Sequence, residues 1–368
     1  MWKRSLNIST AGRKVFVGLS GGVDSAVAAL LLKKKGFDVT GVFIKAWQPF
    51  DKAQGKPIGP CTWRNERRDA MKVCIALGIP FLFFDFETEY KKEVVDKMLS
   101  EYKAGRTPNP DILCNKEIKF GLFWDKAREM GANYIATGHY ARIENEALKE
   151  GIDKEKDQSY FLWTLRQVDL SHIFFPIGNL KKKEVRGLAR RYKLSVSGKK
   201  DSQGICFIGD IKMDEFLSHF IFAKTGRVLN TAGEIIGTHN GAVLYTIGER
   251  HGFEILKKKP ESGAYYIVSK DIKANTITVS DQELEISSLS PTKVIIKNVN
   301  WITEPVGPSI FARIRYRGEK IPVTLSFAGK RLAVEFGQPM RGLSLGQSIV
   351  FYDGDTCLGG GVMDKILE

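Results

Sequence analysis

The chain has 368 residues, enough for two or three domains if each takes about 100–200 residues. Its 43% hydrophobic and 27% charged residues are typical of a globular protein and exclude a disordered or fibrous one. The formal net charge of +14 indicates either a polyanionic partner or simply a well-solvated surface. No stretch approaches the roughly 20 apolar residues of a membrane span, and no basic helix has a clean apolar face. We therefore expect a soluble, cytoplasmic protein without a membrane partner.

The first half of the chain alternates short apolar strands with helices. A glycine follows each helix within two residues, as expected for a left-handed cap: Gly36, Gly78, Gly105 and Gly131. The predicted strands are Lys14–Leu19, Val39–Ile44, Pro80–Phe86 and Tyr134–Thr137, and the predicted helices are Ala26–Lys35, Glu66–Leu77, Thr88–Lys103 and Lys116–Met130. This alternation predicts an α/β domain with a doubly wound parallel sheet, covered by helices on both faces.

After about residue 210 the pattern changes to strands. One helix, Asp214–Ala223, comes first. The predicted strands are Gly226–Ile236, Val243–Thr246, Ala264–Ser269, Thr276–Val279, Lys293–Val299, Ile310–Arg317, Pro322–Phe327, Arg331–Phe336 and Ser348–Tyr352. Their length and spacing predict a small, mostly-β central domain and a C-terminal β-barrel or sandwich. The domains are expected to cover residues 1–208, 209–283 and 284–368.

A glycine-rich loop, Ser20–Ser25 (SGGVDS), lies between the first strand and the first helix. Its two glycines allow a sharp turn that presents N–H groups to an anion, and the start of a helix favours negative charge. Asp24 would repel a phosphate, so we expect it to hold magnesium or to orient the loop. The loop is neither a Walker loop nor a GxGxxG turn. The alternative is a plain strand–helix turn.

Five cysteines are far apart and form neither a CxxC pair nor a zinc-site spacing: Cys61, Cys74, Cys114, Cys206 and Cys357. At this density we expect free thiols in a reducing compartment, either buried or reactive. Cys61, Cys74 and Cys357 have no setting that indicates reactivity, and Cys74 and Cys357 are expected to be structural.

Cys114 follows a rigid, proline-containing loop and lies near a helix start, with Lys116 and Lys119 close by. Positive charge and a helix start lower the pKa of a thiol, so the sequence predicts a thiolate there. Asp111 is a candidate acid or base. A buried cysteine at a helix cap is the alternative.

Cys206 lies in a segment with two lysines, Lys199 and Lys200, and a flexible Gly204. The lysines supply positive potential, and the glycine permits an irregular backbone. On these residues alone, Cys206 is either a core thiol or a reactive one.

Several motifs together resemble the tRNA-specific 2-thiouridylase family (MnmA/TrmU type) of the PP-loop ATP pyrophosphatases. They are SGGVDS, TPNPDILCN-KEIKF, ATGHYAR, KDQSYFL, KDSQGICFIG, YTIGER-HG and LGGGV, in family order from Gly18 to about Val362. The resemblance implies a PP-loop catalytic domain, a tRNA-contacting central domain and a C-terminal β-barrel domain.

The resemblance also implies thiolation at C2 of the wobble uridine in lysine, glutamate and glutamine tRNAs. ATP, expected with Mg²⁺, would adenylate O2 of the uracil. Cys206 would carry a persulfide from a cysteine desulfurase, directly or through a relay protein. Cys114 would release the sulfur, leaving a Cys114–Cys206 disulfide, or free hydrogen sulfide would attack instead. Asp111 would be the acid or base.

The family's binding residues fall on matching positions of this chain. Those for ATP are Gly18, Leu19, Ser20, Gly21, Gly22, Val23, Asp24, Ser25, Ile44 and Gly138. Those for tRNA are Asn109, Pro110 and Asp111 at the target base, and Lys156, Asp157, Gln158, Arg315 and Tyr316 elsewhere. Ile44 departs from the methionine often found there, but a packing contact to adenine should survive. The aromatic–arginine pair suits unpaired bases.

Two features remain open to a plainer explanation. Arg313, Arg315 and Arg317 are predicted to share one face of a strand, which is also what a solvated edge would show. His139 would lie near the nucleotide by resemblance, or be a core histidine.

Two other functions are compatible with the loop. One is a different ATP pyrophosphatase, such as an amide-forming synthetase or a tRNA lysidine-type ligase, and the other is a tRNA-binding relative without catalysis. The sequence leaves open the sulfur donor, the oligomeric state, and whether Asp111, Cys114 and Cys206 hold an iron–sulfur cluster.

Overall fold

The computed structural model describes residues 12–51, 56–57, 62–200, 213–256, 263–282, 291–329 and 331–367. Cys61 and Cys206 lie outside these residues, so the predictions about them stay predictions. The helices are α1 (Val23–Lys34), α2 (Trp63–Leu77), α3 (Glu87–Tyr90), α4 (Lys97–Lys103), α5 (Pro110–Leu113), α6 (Phe123–Glu129), α7 (Lys182–Arg191) and α8 (Met213–Ser218). Wider π-helical turns, Lys91–Asp96 and Cys114–Leu122, join α3 to α4 and α5 to α6.

Strands and short 3₁₀ turns complete the described secondary structure. The strands are β1 (Lys14–Gly18), β2 (Asp38–Lys45), β3 (Phe50–Asp51), β4 (Lys56–Pro57), β5 (Phe81–Asp85), β6 (Tyr134–Ala136), β7 (Ala141–Glu144), β8 (Ala147–Glu150), β9 (Ile173–Phe174), β10 (Gly226–Leu229), β11 (Ile235–His239), β12 (Phe253–Ile255), β13 (Tyr266–Asp271), β14 (Thr276–Ser280), β15 (Lys293–Trp301), β16 (Ser309–Arg313), β17 (Ile321–Ala328), β18 (Arg331–Phe336), β19 (Ser348–Asp353) and β20 (Thr356–Leu367). The 3₁₀ turns are Ser159–Leu162, Gln167–Ser171 and Ala242–Leu244.

The first domain contains a parallel sheet with strand order β5-β2-β1-β6-β9. Side chains of β1 point alternately to two core clusters: Val15 and Val17 pack in the cluster that contains α1, and Phe16 packs in the cluster that contains Phe123 of α6. Both faces are therefore covered, which confirms the predicted doubly wound α/β fold. The chain proceeds from β1 toward β5 and then returns to β6, so the loops after β1 and β6 meet at the switch point of the sheet.

Two β domains follow. The central one is a five-stranded sheet of order β12-β11-β10-β14-β13. The C-terminal one is a barrel of order β15-β18-β17-β16-β19-β20, closed by pairing of β20 with β15, which confirms the predicted β-barrel. Gly359 allows this closure, because a Cβ there would lie 2.1 Å from the Asn300 carbonyl oxygen of β15. Gly360 makes room for the Trp163 ring of the first domain, which would lie 2.9 Å from a Cβ at that position.

A hairpin from the first half of the chain extends the C-terminal sheet. Strands β7 and β8 pair with each other, and Lys149 of β8 pairs with Thr356 of β20. Buried charge reinforces the junction: the Arg313 guanidinium lies 2.8 Å from a carboxylate oxygen of Glu150 and 2.8 Å from one of Asp157. The hairpin was not predicted from the sequence, and the domain boundaries remain a prediction.

Several sequence-based details differ from the structure. The predicted strand Val243–Thr246 is wrong, because Ala242–Leu244 forms a 3₁₀ turn. The predicted strand Gly226–Ile236 is two strands, β10 and β11, joined by a turn. The three alternating arginines do not share a strand face, because β16 ends at Arg313. The glycine caps are confirmed by positive φ angles: 86° at Gly36, 57° at Gly78, 73° at Gly105 and 83° at Gly131. In the described part of the chain, no helix has both the length and the apolar character needed to cross a bilayer.

We expect Arg313→Met to destabilise the junction between the hairpin and the barrel by about 3–5 kcal/mol, because Glu150 and Asp157 would lose a buried partner. Thermal and urea unfolding measure the change. Arg331→Met is the matched control, since Arg331 pairs with Asp364 at 3.3 Å with 61% of its side chain exposed, and the expected cost is below about 1 kcal/mol. Equal stability of the two variants would contradict a structural role for the buried cluster.

Candidate active site

The glycine-rich loop closes on itself at the carboxyl end of β1. Ser25 Oγ accepts a hydrogen bond from the Ser20 N–H at 3.2 Å and donates to the Gly22 carbonyl at 3.3 Å. Gly21 has a φ of 71°, and a Cβ there would lie 2.5 Å from the Glu66 carbonyl oxygen of α2. Gly22 is extended and precedes α1, so the first N–H groups of that helix face the loop. This is the geometry that an anion-binding loop requires.

Gly138, which follows β6, packs directly against this loop. A Cβ on Gly138 would lie 2.6 Å from the Ser25 backbone nitrogen and 2.8 Å from the Asp24 carbonyl carbon. Only glycine permits such a close backbone approach. The structure therefore brings together Gly138 and the loop residues, as the resemblance implies.

Asp24 is held by two residues that the sequence analysis missed. Lys182 Nζ lies 2.8 Å from both carboxylate oxygens, and the Tyr140 hydroxyl donates to one of them at 2.8 Å. Tyr140 belongs to the ATGHYAR motif, and Lys182 belongs to a run of three lysines. Neither sequence pattern indicates a contact with Asp24, because Tyr140 and Lys182 are 116 and 158 positions away from it in the sequence.

The expected magnesium role of Asp24 remains a prediction. In this structure the Lys182 ammonium group contacts both of its carboxylate oxygens. Mg²⁺ at a nucleotide site is usually held by one or two carboxylates together with substrate phosphates. The contacts of Asp24 with Lys182 and Tyr140 support the other expectation, that it orients the loop.

Lys199 holds the other end of the loop. Its Nζ donates to the Gly21 carbonyl at 3.0 Å and pairs with Asp69 of α2 at 2.9 Å. Burial raises the pKa of the neighbouring Glu66 carboxyl, and the Lys199 charge opposes that shift. Two lysines far along the chain thus contact a loop that contains no basic residue of its own.

Cys114 lies in the helix that Asn109 begins. The Asn109 side-chain oxygen accepts from the N–H groups of Asp111 at 3.1 Å and Ile112 at 3.3 Å, and Pro110 occupies the first helical position. An asparagine cap followed by proline is a favoured helix start. The wider turn that starts at Cys114 continues this helix toward α6.

Cys114 is buried, and burial raises the pKa of its thiol. Lys119 and a hydrogen bond with Tyr90 act in the opposite direction, and the Asp111 charge adds to the rise. The predicted lowered pKa is therefore wrong for this conformation, although Lys119 acts as expected. Burial also raises the pKa of the Asp111 carboxyl, again opposed by Lys119.

Lys119 connects these groups to the nucleotide loop. Besides Asp111 and Cys114, it acts on His139, whose pKa is lowered well below the usual value by burial and then by the Lys119 charge. His139 is next to Gly138, and its Nδ1 lies 2.6 Å from Thr137 Oγ1. The His139 imidazole is therefore buried and neutral at neutral pH. The Phe120 ring, in the same helical segment as Cys114, lies 5.8 Å from the His139 ring, so the carboxyl, the thiol and the loop lie at one end of the sheet.

Ile44 lies at the same end, near the end of β2. It is partly buried and packs against both the cluster around Phe84 and the cluster around Cys114. An adenine contact through Ile44 remains a prediction.

The predicted tRNA residues Lys156, Asp157 and Gln158 lie in one turn, and two of them make hydrogen bonds within the protein. Asp157 is buried and accepts from the Gly151 N–H at 2.9 Å, while Gln158 accepts from the Tyr140 N–H at 3.0 Å. Lys156 is partly exposed. These bonds shape the turn on which Lys156 lies, and the three tRNA contacts remain predictions.

Arg315 and Tyr316 follow β16 of the C-terminal domain. The exposed Arg315 donates to the carbonyls of Ile247 at 2.9 Å and Gly342 at 3.0 Å, which joins the two β domains. The Tyr316 ring lies 4.5 Å from the Phe161 ring, and Asn115 donates to the Phe161 carbonyl at 3.1 Å. Tyr316 is therefore linked through Phe161 to the residue next to Cys114.

Both β domains hold the loop before Asn109. The Thr107 N–H donates to the Leu345 carbonyl at 2.8 Å, and its hydroxyl lies 3.1 Å from that of Thr246. Arg106 pairs with Asp364 at 3.1 Å. The approach to Asp111 and Cys114 is thus held by contacts from both β domains.

Comparison with known proteins gives a consistent assignment. Residues 13–210 match the family described as tRNA methyl transferase HUP domain, residues 214–281 the tRNA methyl transferase PRC-barrel domain, and residues 291–363 the aminomethyltransferase beta-barrel domain. The tRNA-specific 2-thiouridylase MnmA of Geobacillus thermodenitrificans is 44% identical over 363 residues, covering 96% of this chain and 95% of that protein. The Bacillus subtilis protein of the same name is 43% identical, with 96% of each chain covered.

Similarity to solved structures is distant. A 4-thiouridine synthetase–RNA complex with bound ATP has 20% identity and a TM-score of 0.35, over 54% of this chain and 45% of that one. The NMN synthetase of Francisella tularensis has 18% identity and a TM-score of 0.34, over 56% of this chain and 71% of that one. These distant matches do not bear on what the protein does.

The first domain has a parallel sheet with a glycine-rich loop of the anion-binding type at its switch point, and two β domains follow it. Together with the matching family model, this architecture defines a nucleotide-binding protein of the HUP class. The chain belongs to the tRNA-specific 2-thiouridylase (MnmA) family, because its full-length relatives exceed 40% identity over nearly all of both chains.

We expect Gly138→Ala to displace the first turn of α1, since the new methyl group would overlap backbone atoms of Asp24 and Ser25. The expected cost is about 1–3 kcal/mol, together with weaker ATP binding. Gly187→Ala is the control, because nothing lies within 4 Å of a Cβ there, and alanine should stabilise α7 by up to about 1 kcal/mol. Thermal unfolding and equilibrium dialysis with ATP measure both. Unchanged ATP affinity in Gly138→Ala would contradict the assigned contact.

We expect Cys74, Cys114 and Cys357 to react slowly with iodoacetamide in the folded protein, because all three are buried free thiols. Burial raises the pKa of Cys74 from 9.0 to about 11, which reduces its thiolate fraction at neutral pH roughly 100-fold. Mass spectrometry of native and urea-unfolded samples measures the protection. Labelling of Cys114 at the same rate in both samples would show that its thiol is accessible in solution.

Proposed function

We propose that this protein is a tRNA 2-thiouridine synthase that uses ATP to adenylate O2 of the wobble uridine and then replaces that oxygen with sulfur. The observation that carries the proposal is the contact between the helical segment of Cys114 and the residue after Gly138: the Phe120 ring lies 5.8 Å from the His139 ring, and Gly138 packs against the nucleotide loop. The proposed phosphate-binding loop and the thiol are thus linked by these contacts. The curated relatives are named for this reaction.

The domain descriptions speak of methyl transfer, whereas the full-length relatives are named 2-thiouridylases. Thiolation fits the site better. Methyl transfer requires neither a phosphate-binding loop nor a thiol beside a carboxyl group. This site contains the glycine-rich loop, the Cys114 thiol and the Asp111 carboxyl group.

In the first step, uracil O2 attacks the α-phosphorus of ATP and the bond to the β-phosphate breaks. Pyrophosphate leaves with the electron pair. The N–H groups of the first turn of α1 bind phosphate oxygens, and the positive end of the helix stabilises their charge. Asp111 is suited to accept or donate a proton, because burial keeps its pKa above that of an ordinary aspartate.

In the second step, the outer sulfur of a Cys206 persulfide attacks C2. The Cys114 thiolate then attacks the inner sulfur, and the S–S bond of the persulfide breaks. Its electron pair forms the C2 thiocarbonyl as AMP leaves with O2. The product protein contains a Cys114–Cys206 disulfide, which a small thiol reductant must reduce before the next cycle. The persulfide is supplied by a cysteine desulfurase or a sulfur-relay protein.

Binding of tRNA draws on charge and on stacking. The net charge of +14 attracts the phosphate backbone. The paired rings of Phe161 and Tyr316 lie near the Cys114 helix, where an unpaired base can stack on them. The proposed substrates are the lysine, glutamate and glutamine tRNAs, and the proposed compartment is the cytoplasm.

Substitution of each thiol separates the roles of the two cysteines. We expect Cys206→Ser to abolish persulfide formation, and Cys114→Ser to accept a persulfide but fail to thiolate tRNA. Both should still release pyrophosphate when tRNA is present. Alkylation trapping with mass spectrometry locates the persulfide, nucleoside analysis measures 2-thiouridine, and Cys61→Ser is the thiol control.

Three results would change the assignment. A persulfide on Cys114 alone would exchange the two roles, and its absence from both would reject the persulfide route. Pyrophosphate release with a normal product in Cys206→Ser would indicate an amide-forming or lysidine-type ligase instead. Absence of pyrophosphate release from the unmodified enzyme would indicate a non-catalytic tRNA-binding protein.

A further inference from the structure

Cys114 has to ionise in surroundings that oppose ionisation. The proposed second step uses its thiolate, whereas burial raises the pKa of its thiol. Two charged side chains act on this thiol in opposite directions, since Lys119 favours the thiolate and Asp111 disfavours it. From the central domain, Phe216 and Leu217 of α8 lie in the same cluster as Cys114, and both are buried and apolar. The thiolate therefore needs a further group that stabilises it.

We propose that Tyr90 is a catalytic residue whose hydroxyl stabilises the Cys114 thiolate by donating a hydrogen bond to its sulfur. The inference rests on the proposed function, in which this thiolate attacks the persulfide. It goes beyond that function by assigning a role to a tyrosine that lies outside the sequence motifs.

The proposal starts from a direct contact, because the side chains of Tyr90 and Cys114 form a hydrogen bond. A tyrosine hydroxyl can donate or accept, but a thiolate has no proton, so only the tyrosine can donate once Cys114 has ionised. A hydrogen bond to an ionised group is shorter and about twice as strong as one between neutral groups. The contact thus favours the thiolate over the thiol, which lowers the pKa of Cys114.

Packing holds the tyrosine in place beside the thiol. Tyr90 is only 1% exposed and belongs to the same apolar cluster as Cys114. Its backbone N–H donates to the Phe86 carbonyl at 2.8 Å, and Val94 and Val95, one turn further on, are buried in the same cluster. A hydrogen bond in such low-dielectric surroundings is electrostatically stronger than the same bond in water.

The backbone changes its helical geometry at both residues. Tyr90 ends α3 and is followed by the π-helical turn Lys91–Asp96, and Cys114 is the first residue of the π-helical segment Cys114–Leu122. These two segments pack against each other. π-Helical turns are rare and occur frequently at functional sites. This backbone feature is independent of the hydrogen bond, and it involves the same two residues.

Tyr90 keeps its own proton throughout the proposed second step. The Cys114 thiol loses its proton to a base, for which Asp111 is the candidate. The lone pair of the thiolate then forms the bond to the inner sulfur of the Cys206 persulfide, and the S–S bond of the persulfide breaks as described above. Because the negative charge leaves the Cys114 sulfur in this step, Tyr90 stabilises the nucleophile and is not needed for the earlier adenylation of uracil.

The first test is a titration of Cys114 in the protein without ATP or tRNA. The thiolate absorbs in the ultraviolet, and the spectrum of the matching Cys114→Ser protein is subtracted at each pH. We expect Tyr90→Phe, which keeps the buried ring, to raise the pKa of Cys114 and to reduce its thiolate fraction at neutral pH about 10-fold. Tyr102→Phe is the matched control, because Tyr102 is a buried tyrosine of the same cluster. Equal titration curves of the two variants would overturn the proposal.

Single-turnover formation of 2-thiouridine by persulfide-loaded enzyme measures the same role in catalysis. We expect Tyr90→Phe to slow this reaction about 10-fold at neutral pH, and the defect to shrink as the pH rises, because a higher pH restores the thiolate. Tyr102→Phe should keep the pH profile of the unmodified enzyme. A defect of the same size at every pH would show a merely structural role and would contradict the proposal. A shifted titration with normal thiolation would confine the hydrogen bond to the resting conformation and would reject the catalytic role.

Alkylation by iodoacetamide distinguishes stabilisation of the thiolate from simple retention of the thiol. We expect slower alkylation of Cys114 in Tyr90→Phe than in Tyr102→Phe, because less thiolate is present. Faster alkylation would show that the Tyr90 hydroxyl only holds Cys114 in its buried position, and that result would reject the proposal.

Pyrophosphate release separates the proposal from the function on which it rests. We expect Tyr90→Phe to release pyrophosphate with tRNA at the rate of the unmodified enzyme, since adenylation precedes the thiol step. A loss of this activity would place Tyr90 in adenylation and overturn the assigned role. If the unmodified enzyme formed no 2-thiouridine, the proposed function would fail, and the titration would still decide whether Tyr90 lowers the pKa of Cys114.

Discussion

The close backbone contact between Gly138 and the first turn of α1 is the constraint on which the site depends. It joins the loops that follow β1 and β6 at the switch point of the parallel sheet. The two residues after Gly138 then make separate contacts: the His139 ring lies 5.8 Å from the Phe120 ring of the segment that contains Cys114, and the Tyr140 hydroxyl donates to Asp24. The absence of a side chain at Gly138 thus lets the nucleotide loop pack against the segment that contacts the helix of Cys114.

Local sequence patterns predicted the first domain well, because its elements depend on short-range periodicity and on glycine caps. The same patterns indicated the loop, Asp111 and Cys114 as candidate site residues, and the roles of these residues remain predictions. The partners of Asp24 could not be predicted in this way. Lys182 is 158 positions away, and nothing in a run of three lysines indicates which one faces inward. The hairpin β7–β8 was missed for a similar reason, since its strands are four residues each and pair across domains.

The state of Cys114 shows a second limit of sequence reasoning. Positive neighbours are visible in the sequence, but burial is not, and here burial decides the direction of the pKa shift. The thiol is neither ionised nor reachable in this conformation. If Cys114 releases sulfur as proposed, the catalytic conformation must expose it. The loop before Asn109 is held by residues of both β domains, so a movement of either domain would act on the approach to Cys114.

The hairpin in the C-terminal sheet also affects the order in which the protein folds. Strand β20 closes the barrel and pairs with β8, although Thr356 and Lys149 are separated by 207 positions (356 minus 149). During translation, the outer edge of β8 and the Trp163 ring stay without their contacts from β20 until that strand has been synthesised. The barrel cannot be completed before then, and part of the apolar surface of the first domain stays uncovered while more than 200 residues are added. A molecular chaperone that shields this surface would be of most use on the nascent chain.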